Sequence, residues 1–444
     1  METKMELSRT DQILCDLIKM NTISGVYPER PCITYIKNLF DEAGIENRVI
    51  ALDDQRPNLY ACIPAGIASD HKKPPILFYG HVDVVPVDNQ DWSSDPFGAE
   101  IKDGYIWGRG AIDMKGEVAM FIGLALQMKE LNLQLPFDVR FLFVSDEEGT
   151  GKFGASYLVD QHSDIFAGIK WAFGEIGGFT FHVAGKQIYP VMVAEKQFSH
   201  IKVTAKGEGG HGSLSHHNTA MEKAARAIIK LSTERLPVRI TPAATLMIEG
   251  FADIMGGIQG KVLRRLLKPA KTDKTLKLLG SAGELFDPLL HNNANVTIVG
   301  GGNAINVIPS AVSFECDLRL VPGCTMEEGI ADVQHLIGSD YEFEVVEYNP
   351  GSSKIDMSLY KVISQTLIEK EAEAKPVPFV LSGVTDGRFL SKLGIQTYGF
   401  TPMKLPEDYN FTALAHAADE RIPVGATAFG TEILVRLVKN LGLE

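Results

Sequence analysis

The spacing of apolar residues along this chain predicts that helices and strands alternate in its first part. Helical spacing occurs over residues 6–20, 32–44 and Gly116–Leu131, and short apolar runs typical of buried strands occur at Asn58–Ile63, Pro75–Gly80, Phe137–Val144 and Ile169–Phe173. Strands that alternate with helices favour an α/β layer built around a sheet. The fold class expected for this part of the chain is therefore α/β.

A second pattern begins near Glu195-Lys196-Gln197 and predicts a separate β-α-β-β-α-β unit. Its predicted elements are strands His200–Lys206, Asn295–Val299, Ala311–Leu320 and Glu342–Glu347 and helices Met221–Ser232 and Met326–Ile337. An apolar-rich, basic stretch at about 243–290 interrupts this unit and is predicted to be helical. We expect this stretch to pack on its own domain, with a helix that faces a partner or a membrane as the alternative.

The first pattern resumes after Pro350-Gly351. There the spacing predicts helices Met357–Lys370 and Val424–Leu441 and strands near Pro376–Leu381 and Gln396–Thr401. A chain of 444 residues also exceeds the roughly 250–300 residues at which single cores stop growing. We therefore predict a discontinuous domain of residues 1–196 and 349–444 that carries an inserted domain of residues 197–348.

Composition narrows the classes of partner and compartment. The formal net charge of −13 argues against nucleic acid or an anionic membrane as a partner, because both attract positive surfaces. The five cysteines are widely spread and predict neither a disulfide framework nor a thiolate zinc site. The start of the chain, Met1–Glu6, leads into a polar helix, and no apolar run reaches 18 residues, so we expect a cytoplasmic protein.

Polar clusters stand where predicted strands end and in one glycine-flanked turn. They are His81-Val82-Asp83, Asp146-Glu147-Glu148, Glu175, and Asp113 within Gly108-Arg109-Gly110-Ala111-Ile112-Asp113-Met114-Lys115-Gly116. Ligands of α/β sheets collect at the carboxyl ends of strands. The clusters therefore predict a single polar site.

The residue types of this site suit a pair of divalent metal ions about 3.5–4 Å apart, with one carboxylate bridging them. Oxygen and imidazole donors without thiolates favour catalytic zinc, with cobalt or manganese as substitutes. Asp83 is expected to accept the second ring N–H of His81 and so to fix its tautomer. On extended backbone Glu147 and Glu148 point in opposite directions, so that one binds metal while the other takes a proton from water.

Three of these motifs occur in an order that identifies a family resemblance. Gly80-His81-Val82-Asp83-Val84-Val85-Pro86, the Gly108–Gly116 turn and Glu147-Glu148-Gly149 resemble the zinc aminoacylase and carboxypeptidase family. That family includes aminoacylase, glutamate carboxypeptidase and succinyl-diaminopimelate desuccinylase. The resemblance, which extends from about residue 55 to about residue 425, implies a mixed-sheet zinc-peptidase catalytic domain with an inserted α+β ferredoxin-like lid domain.

Carried over residue by residue, the resemblance implies two zinc ions per subunit. Asp113 would bridge them, His81 and Glu175 would bind one ion, and Glu148 and His416 would bind the other, with Glu147 as the general base. The Glu175 motif, Gly174-Glu175-Ile176-Gly177-Gly178, departs at Gly174 and Ile176 from the Asn-Glu-Gly-Gly form of one branch. His416 matches a late histidine followed by Asp-Glu, here Asp419-Glu420.

The resemblance also implies residues that contact substrate. His211 in the lid would stabilise the oxyanion, often in the site of a dimer partner, so a homodimer through the lid is expected. Asn306, Arg319 and Arg388 would bind a substrate carbonyl or carboxylate, and Thr385, in the loop of Arg388, would also contact substrate. Internal ion pairs are the alternative for the two arginines. A cis peptide is expected at Asp113–Met114.

These expectations favour a hydrolase that cleaves an amide bond in an N-acyl amino acid or next to the terminal carboxylate of a short peptide. A carbamoyl-amino-acid amidohydrolase and an aminopeptidase share the metal site and are the alternatives among enzymes. From a different class, a non-catalytic binding protein on the same scaffold would be expected to have lost Glu147 or a ligand, and this chain has lost neither.

Overall fold

The computed structural model describes residues 6–66, 73–352 and 354–443, and most of the Met1–Glu6 segment lies outside these ranges. The chain divides into two compact units. The first unit comprises Met1–Val193, Asp356–Pro378 and Thr385–Glu444, and the second comprises Ala194–Ile355 and Phe379–Val384.

The elements follow one another along the chain as two sets. The strands are β1 (Glu46–Ile50), β2 (Asn58–Ile63), β3 (Ile76–His81), β4 (Glu100–Lys102), β5 (Tyr105–Trp107), β6 (Val139–Val144), β7 (Trp171–Gly174), β8 (Phe181–Val183), β9 (Lys186–Glu195), β10 (Gln197–Lys206), β11 (Gly210–His211), β12 (Asn293–Gly300), β13 (Val307–Ile308), β14 (Ala311–Leu320), β15 (Tyr341–Asn349), β16 (Pro376–Leu381), β17 (Gln396–Gly399) and β18 (Arg421–Pro423). The helices are α1 (Arg9–Ile18), α2 (Arg30–Glu42), α3 (Lys115–Glu130), α4 (Ala155–Gln161), α5 (Ala220–Thr233), α6 (Pro242–Met255), α7 (Gly257–Leu263), α8 (Pro269–Leu279), α9 (Ser281–Glu284), α10 (Asp287–Leu290), α11 (Met326–Ile337), α12 (Tyr360–Lys370), α13 (Gly387–Leu390), α14 (Phe411–Leu414) and α15 (Ala426–Leu443).

A nine-stranded mixed sheet carries the polar clusters. Its order is β1-β2-β6-β3-β7-β17-β9-β16, with β8 paired to β9, and its central strands β6, β3, β7 and β17 are parallel. Every residue of β3 is buried, as expected for a parallel strand covered on both faces. The carboxyl ends of β3, β6 and β7 therefore lie at one edge of the sheet. The prediction of an α/β fold with a mixed sheet is confirmed.

Helix α3 fixes the turn that precedes it. Thirteen of its sixteen residues are buried, because it packs against α1, α15 and β3 at once. Its first residue, Lys115, donates from Nζ to the backbone carbonyls of Leu17 at 3.0 Å and Met20 at 2.7 Å. The turn that contains Asp113 is thereby tied to the end of α1.

The second unit is built on a four-stranded antiparallel sheet in the order β12-β14-β10-β15. Helices α5 and α11 pack against this sheet and against each other. Between them and the sheet lies an apolar core that includes Ile201, Val203, Phe314 and Leu318. Elements β10, α5, β12, β14, α11 and β15 follow the β-α-β-β-α-β order that the sequence pattern predicts.

The stretch at about 243–290 is helical, as its composition indicated. It forms α6 to α10, together with a short 3-10 helix at Arg264–Leu267. Buried side chains such as Met247, Phe251, Leu266 and Leu276 hold these helices together within the second unit.

Two further findings concern the whole described chain. Among the described residues, no helix combines the length and the apolar composition that crossing a membrane requires. All five cysteines lie in the described ranges, and each is a free thiol.

Candidate metal centre

Asp113 lies between two histidines that are far apart in the sequence. Its Oδ1 is 3.1 Å from Nε2 of His81, the last residue of β3, and its Oδ2 is 3.0 Å from Nε2 of His416. One carboxylate thus faces two imidazoles through different oxygen atoms. This is the arrangement required of a carboxylate that bridges two metal ions.

Two groups of potential ligands share Asp113. One consists of His81, Asp113 and Glu175, the other of Asp113, Glu148 and His416, and within each group the ligand atoms all lie within 4.8 Å of one another. Atoms bound to one ion at about 2.1 Å stand roughly 3–4 Å apart, so both groups fit a metal ion. All five residues named from the sequence as ligands are therefore brought together, and their nitrogen and oxygen atoms suit zinc, cobalt or manganese.

Burial disfavours the charged forms of the carboxyl groups at this site. It raises the pKa of Glu175 and of Glu148 above the ordinary value for a glutamate. Hydrogen bonds to Asp113 and Glu148 raise the pKa of His416 to about 10. Burial alone would lower the pKa of His81, but hydrogen bonds to Asp113 and Glu175 raise it well above its usual range. A divalent cation would compensate the same negative charge.

The turn before α3 presents the Asp113 carboxylate. The Asp113–Met114 peptide is cis, as the resemblance implied. A Cβ on Gly116 would lie 2.3 Å from the carbonyl oxygen of Ala111, so only glycine fits there. Glu420 Oε1 accepts the backbone N–H groups of Ile112 at 2.7 Å and of Asp113 at 3.1 Å.

Glu420 also pairs with Arg109, and sequence reasoning gave neither residue a role. The Arg109 Nη1 atom is 2.6 Å from Glu420 Oε2, and both side chains are buried. Arg109 donates as well to the backbone carbonyls of Ala417 at 3.1 Å and His416 at 3.3 Å. The pair therefore joins the turn of Asp113 to the loop of His416. The sequence indicated this pair only in that each residue is charged and stands in a motif that also carries a predicted ligand. Arg109 is in the motif of Asp113, and Glu420 is in the motif of His416.

Asp83 organises the two adjacent glutamates. Its carboxylate accepts the backbone N–H groups of Glu147 and Glu148, each at 3.1 Å. Its geometry toward His81 differs from expectation, because His81 Nδ1 is 2.9 Å from the Asp83 backbone oxygen but 3.6 Å from its carboxylate. A carbonyl, which accepts only, still fixes the tautomer of His81. The Asp83 carboxylate therefore stabilises the turn that contains Glu147 and Glu148.

Glu147 and Glu148 lie in a turn, contrary to the extended backbone expected from the sequence. Asp146 has a φ of 69° and ends the strand before them. Arg56, another residue without a role in the sequence reasoning, lies 3.1 Å from Asp146 and 2.7 Å from Glu29. This network of Arg56, Asp146 and Glu29 holds the turn. Within it Glu147 lies beside Arg388 and Glu148 belongs to a ligand group.

Arg388 lies beside Glu147. Its Nη1 atom is 3.7 Å from Glu147 Oε1. Burial raises the pKa of Glu147 well above the ordinary value and the negative charge of Glu175 adds to this, whereas His81 and Arg388 oppose it. A glutamate with a raised pKa is suited to take and return a proton near neutral pH.

Thr385, which the sequence suggested as a substrate contact, is fully buried. Its hydroxyl accepts the backbone N–H of Gly387 at 3.0 Å, and its carbonyl accepts the backbone N–H of Arg388 at 3.1 Å. Thr385 therefore holds the turn that positions Arg388, and its side chain is withdrawn from solvent.

The remaining predicted residues belong to the second unit. His211 Nδ1 is 2.7 Å from Ser213 Oγ, and the backbone N–H of Gly212 donates to the Asn306 carbonyl at 2.8 Å. His211 pairs with Val307, the residue after Asn306, across strands β11 and β13.

Arg319 pairs with Asp317 through two hydrogen bonds of 2.6 and 3.0 Å. The ion pair that was the alternative for Arg319 is thus present.

Comparisons with known proteins agree with this geometry. The family model described as peptidase family M20/M25/M40 matches residues 77–440. Probable carboxypeptidase S-like 2 of Dictyostelium discoideum is 26% identical, over 84% of this chain and 72% of its own length. Human N-fatty-acyl-amino acid synthase/hydrolase PM20D1 is 26% identical over 84% of this chain and 75% of its own length. Aminoacylase-1 of Sus scrofa is 25% identical over 82% of this chain and 79% of its own length.

A solved structure shows the same fold. The M20 family metallo-carboxypeptidase Sso-CP2 from Sulfolobus solfataricus superposes with a TM-score of 0.65 at 18% identity, covering 99% of this chain and 100% of its own. The family match spans most of the chain and includes the ligand-bearing turns around Asp113 and His416. The chain therefore belongs to peptidase family M20/M25/M40 and is a metal-dependent amidohydrolase of the aminoacylase and peptidase type.

Proposed function

We propose that this chain is a dinuclear zinc hydrolase that cleaves the amide bond of N-acyl amino acids or of short peptides next to their terminal carboxylate. The observation that carries the proposal is the position of Asp113 between His81 and His416, with Glu175 and Glu148 completing the two ligand groups. Two bound zinc ions, for which cobalt or manganese could substitute, would supply Lewis acidity that activates water and polarises the scissile carbonyl.

Glu147 is the general base in this proposal. It takes a proton from the attacking water and returns it to the nitrogen of the leaving amine. Its raised pKa suits both steps, because the group must hold the proton between them. Asp83 contributes by fixing the backbone of Glu147 and Glu148, so that one carboxylate reaches metal while the other stays available for proton transfer.

Arg388 is proposed to bind the carboxylate of the amino acid part of the substrate. Its guanidinium is close to the proposed base, and an arginine engages a planar carboxylate through two parallel hydrogen bonds. The names of two relatives support an acyl amino acid, since one is an N-fatty-acyl-amino acid synthase/hydrolase and another an aminoacylase. The name of a third supports a carboxypeptidase substrate.

The second unit is proposed to act as a lid. We assign oxyanion stabilisation to His211 and substrate contacts to Asn306 and Arg319, with a homodimer formed through this unit. A cytoplasmic location is part of the same proposal and is supported by the free state of all five cysteines.

A substrate panel tests the proposal. Zinc-loaded protein is offered N-acyl amino acids, N-carbamoyl amino acids, dipeptides blocked at the amino terminus and dipeptides with a free amine, and released amine is measured. Release from the first or third group supports the proposal. Release only from carbamoyl compounds, or only from peptides with a free amine, would instead assign the carbamoyl hydrolase or the aminopeptidase.

A further inference from the structure

The helical insertion of the second unit presents a run of exposed basic residues at its surface. Gly257–Leu279 contains seven basic residues and one acidic residue, although the whole chain has a formal net charge of −13. We propose that this surface binds the headgroups of an anionic phospholipid bilayer. We call it the insertion patch and define it by Lys261, Arg265, Lys268, Lys271, Lys274 and Lys277.

The six cations of the insertion patch are exposed. Over the described part of the chain, none of them forms a salt bridge, whereas Arg264 in the same segment pairs with Glu249 at 2.6 Å and with Asp253. The acidic residue of the segment, Asp273, lies 3.2 Å from His291 and 3.8 Å from Arg235. Asp273 also lines a cavity with Lys274 and Lys277, but among the described residues it forms a salt bridge with neither lysine.

Helix α8 places an apolar side chain among these cations. Leu278 follows Lys274 by four positions and Lys271 by seven, so the three side chains share one face of the helix. Leu278 is 64% exposed. The buried residues Thr272, Thr275 and Leu276 anchor the helix in the second unit.

Helix α7 and the 3-10 helix that continues it repeat this arrangement. Ile258, Lys261 and Arg265 are spaced by three and seven positions, and Ile258 is 81% exposed. Leu263 and Leu266 are buried beneath them. An exposed apolar residue flanked by cations on a short amphipathic helix is the pattern of a segment that lies in a membrane interface.

The composition of the segment favours a bilayer over nucleic acid. Binding of single strands commonly uses aromatic side chains on which bases stack, and Gly257–Leu279 contains no aromatic residue. The net charge of the chain does not oppose a local contact, because charges farther away than about 8 Å are largely screened at physiological salt. Each cation near an anionic bilayer strengthens binding by roughly fivefold.

Vesicle flotation of the full chain tests the proposal. The protein should float with phosphatidylcholine vesicles that contain about 30% phosphatidylserine and should not float with phosphatidylcholine alone. The variant K268Q/K271Q/K274Q/K277Q should bind at least about a hundredfold more weakly, and Leu278→Ser about tenfold more weakly. The matched control K19Q/K129Q/K170Q/K361Q removes the same charge from exposed lysines of the first unit and should bind as the natural chain does.

Three results would overturn the proposal. They are absence of binding to the anionic vesicles, equal loss of binding in the two four-lysine variants, and binding of a single-stranded oligonucleotide in place of vesicles. Thermal unfolding and hydrolysis of a water-soluble substrate establish that each variant is folded. Because flotation needs no turnover, its outcome is independent of the proposed hydrolytic function.

Discussion

Arg109 and Glu420 form an ion pair of 2.6 Å beside the turn that carries Asp113, and both side chains are buried. Glu420 Oε2 faces the guanidinium, while Glu420 Oε1 accepts two backbone N–H groups of the turn. Burial raises the pKa of Glu420, and Arg109 opposes that rise. Each buried charge compensates the other, and the pair positions the carboxylate that both ligand groups share.

Replacing Glu420 with Gln is expected to destabilise the protein and to lower its metal content. The amide keeps one oxygen for the backbone N–H groups but directs its NH₂ group toward Arg109, which leaves a buried cation without compensation. Breaking such a pair costs about 3–5 kcal/mol. Urea unfolding and elemental analysis measure the two effects.

The double variant R109Q/E420Q is the control, because it removes both charges together. Its loss of stability should be smaller than the sum of the losses in the two single variants. Strict additivity would mean that the pair has no coupling, and the positioning role would then be withdrawn.

Glu147 and Glu148 are adjacent but should respond differently to the same substitution. Glu147→Gln is expected to lower kcat by about 10²–10⁴ and to leave metal content unchanged, because it removes a proton carrier and no ligand. Glu148→Gln should lower the metal content itself. If E147Q retained more than about a tenth of the natural turnover, another group would have to act as the base.

The pH profile should report the environment of Glu147. Burial and the charge of Glu175 raise its pKa, and the base must be ionised to act, so kcat/KM should fall with decreasing pH well above the range of an ordinary glutamate. Arg388 opposes this rise, so Arg388→Met should move the acid limb to higher pH. Arg436→Met removes a half-exposed cation that pairs with Glu369 and should leave the limb in place. An unmoved limb in R388M would contradict this electrostatic account.

Removal of metal is expected to occur in two steps. The side chain of His416 is 51% exposed, whereas that of His81 is 1% exposed. A chelator should therefore remove the ion of the Asp113, Glu148 and His416 group first. Titration with chelator, followed by measurement of the metal that stays bound, should give a plateau near half occupancy. Simultaneous loss of all metal would contradict the expectation that the chelator reaches the ion beside His416 before the ion beside His81.

Substitution of the two histidines should follow the same asymmetry. His416→Ala removes a half-exposed side chain and is expected to change the free energy of unfolding little. His81→Ala leaves a cavity and unpaired carboxylates in the core, so a loss of about 2–4 kcal/mol is expected. Thermal unfolding of the chelated proteins compares the two variants without the contribution of bound metal.

The sequence predicted those features that depend on local pattern. Strand β2 was predicted at its observed bounds, and His81 was predicted at a strand end because an apolar run stops there. Features that depend on distant pairing or on one backbone angle were missed. Arg109 and Glu420 are 311 positions apart, and the turn of Glu147 follows from the positive φ of Asp146. Strand β9 was also missed, although six of its ten residues are buried.

The most direct test of the central claim is anomalous diffraction from crystals of the zinc-loaded protein. Two zinc peaks per chain are expected, about 3.5–4 Å apart, on either side of the Asp113 carboxylate, one beside His81 and the other beside His416. A single peak, or two peaks that do not share Asp113, would contradict this expectation.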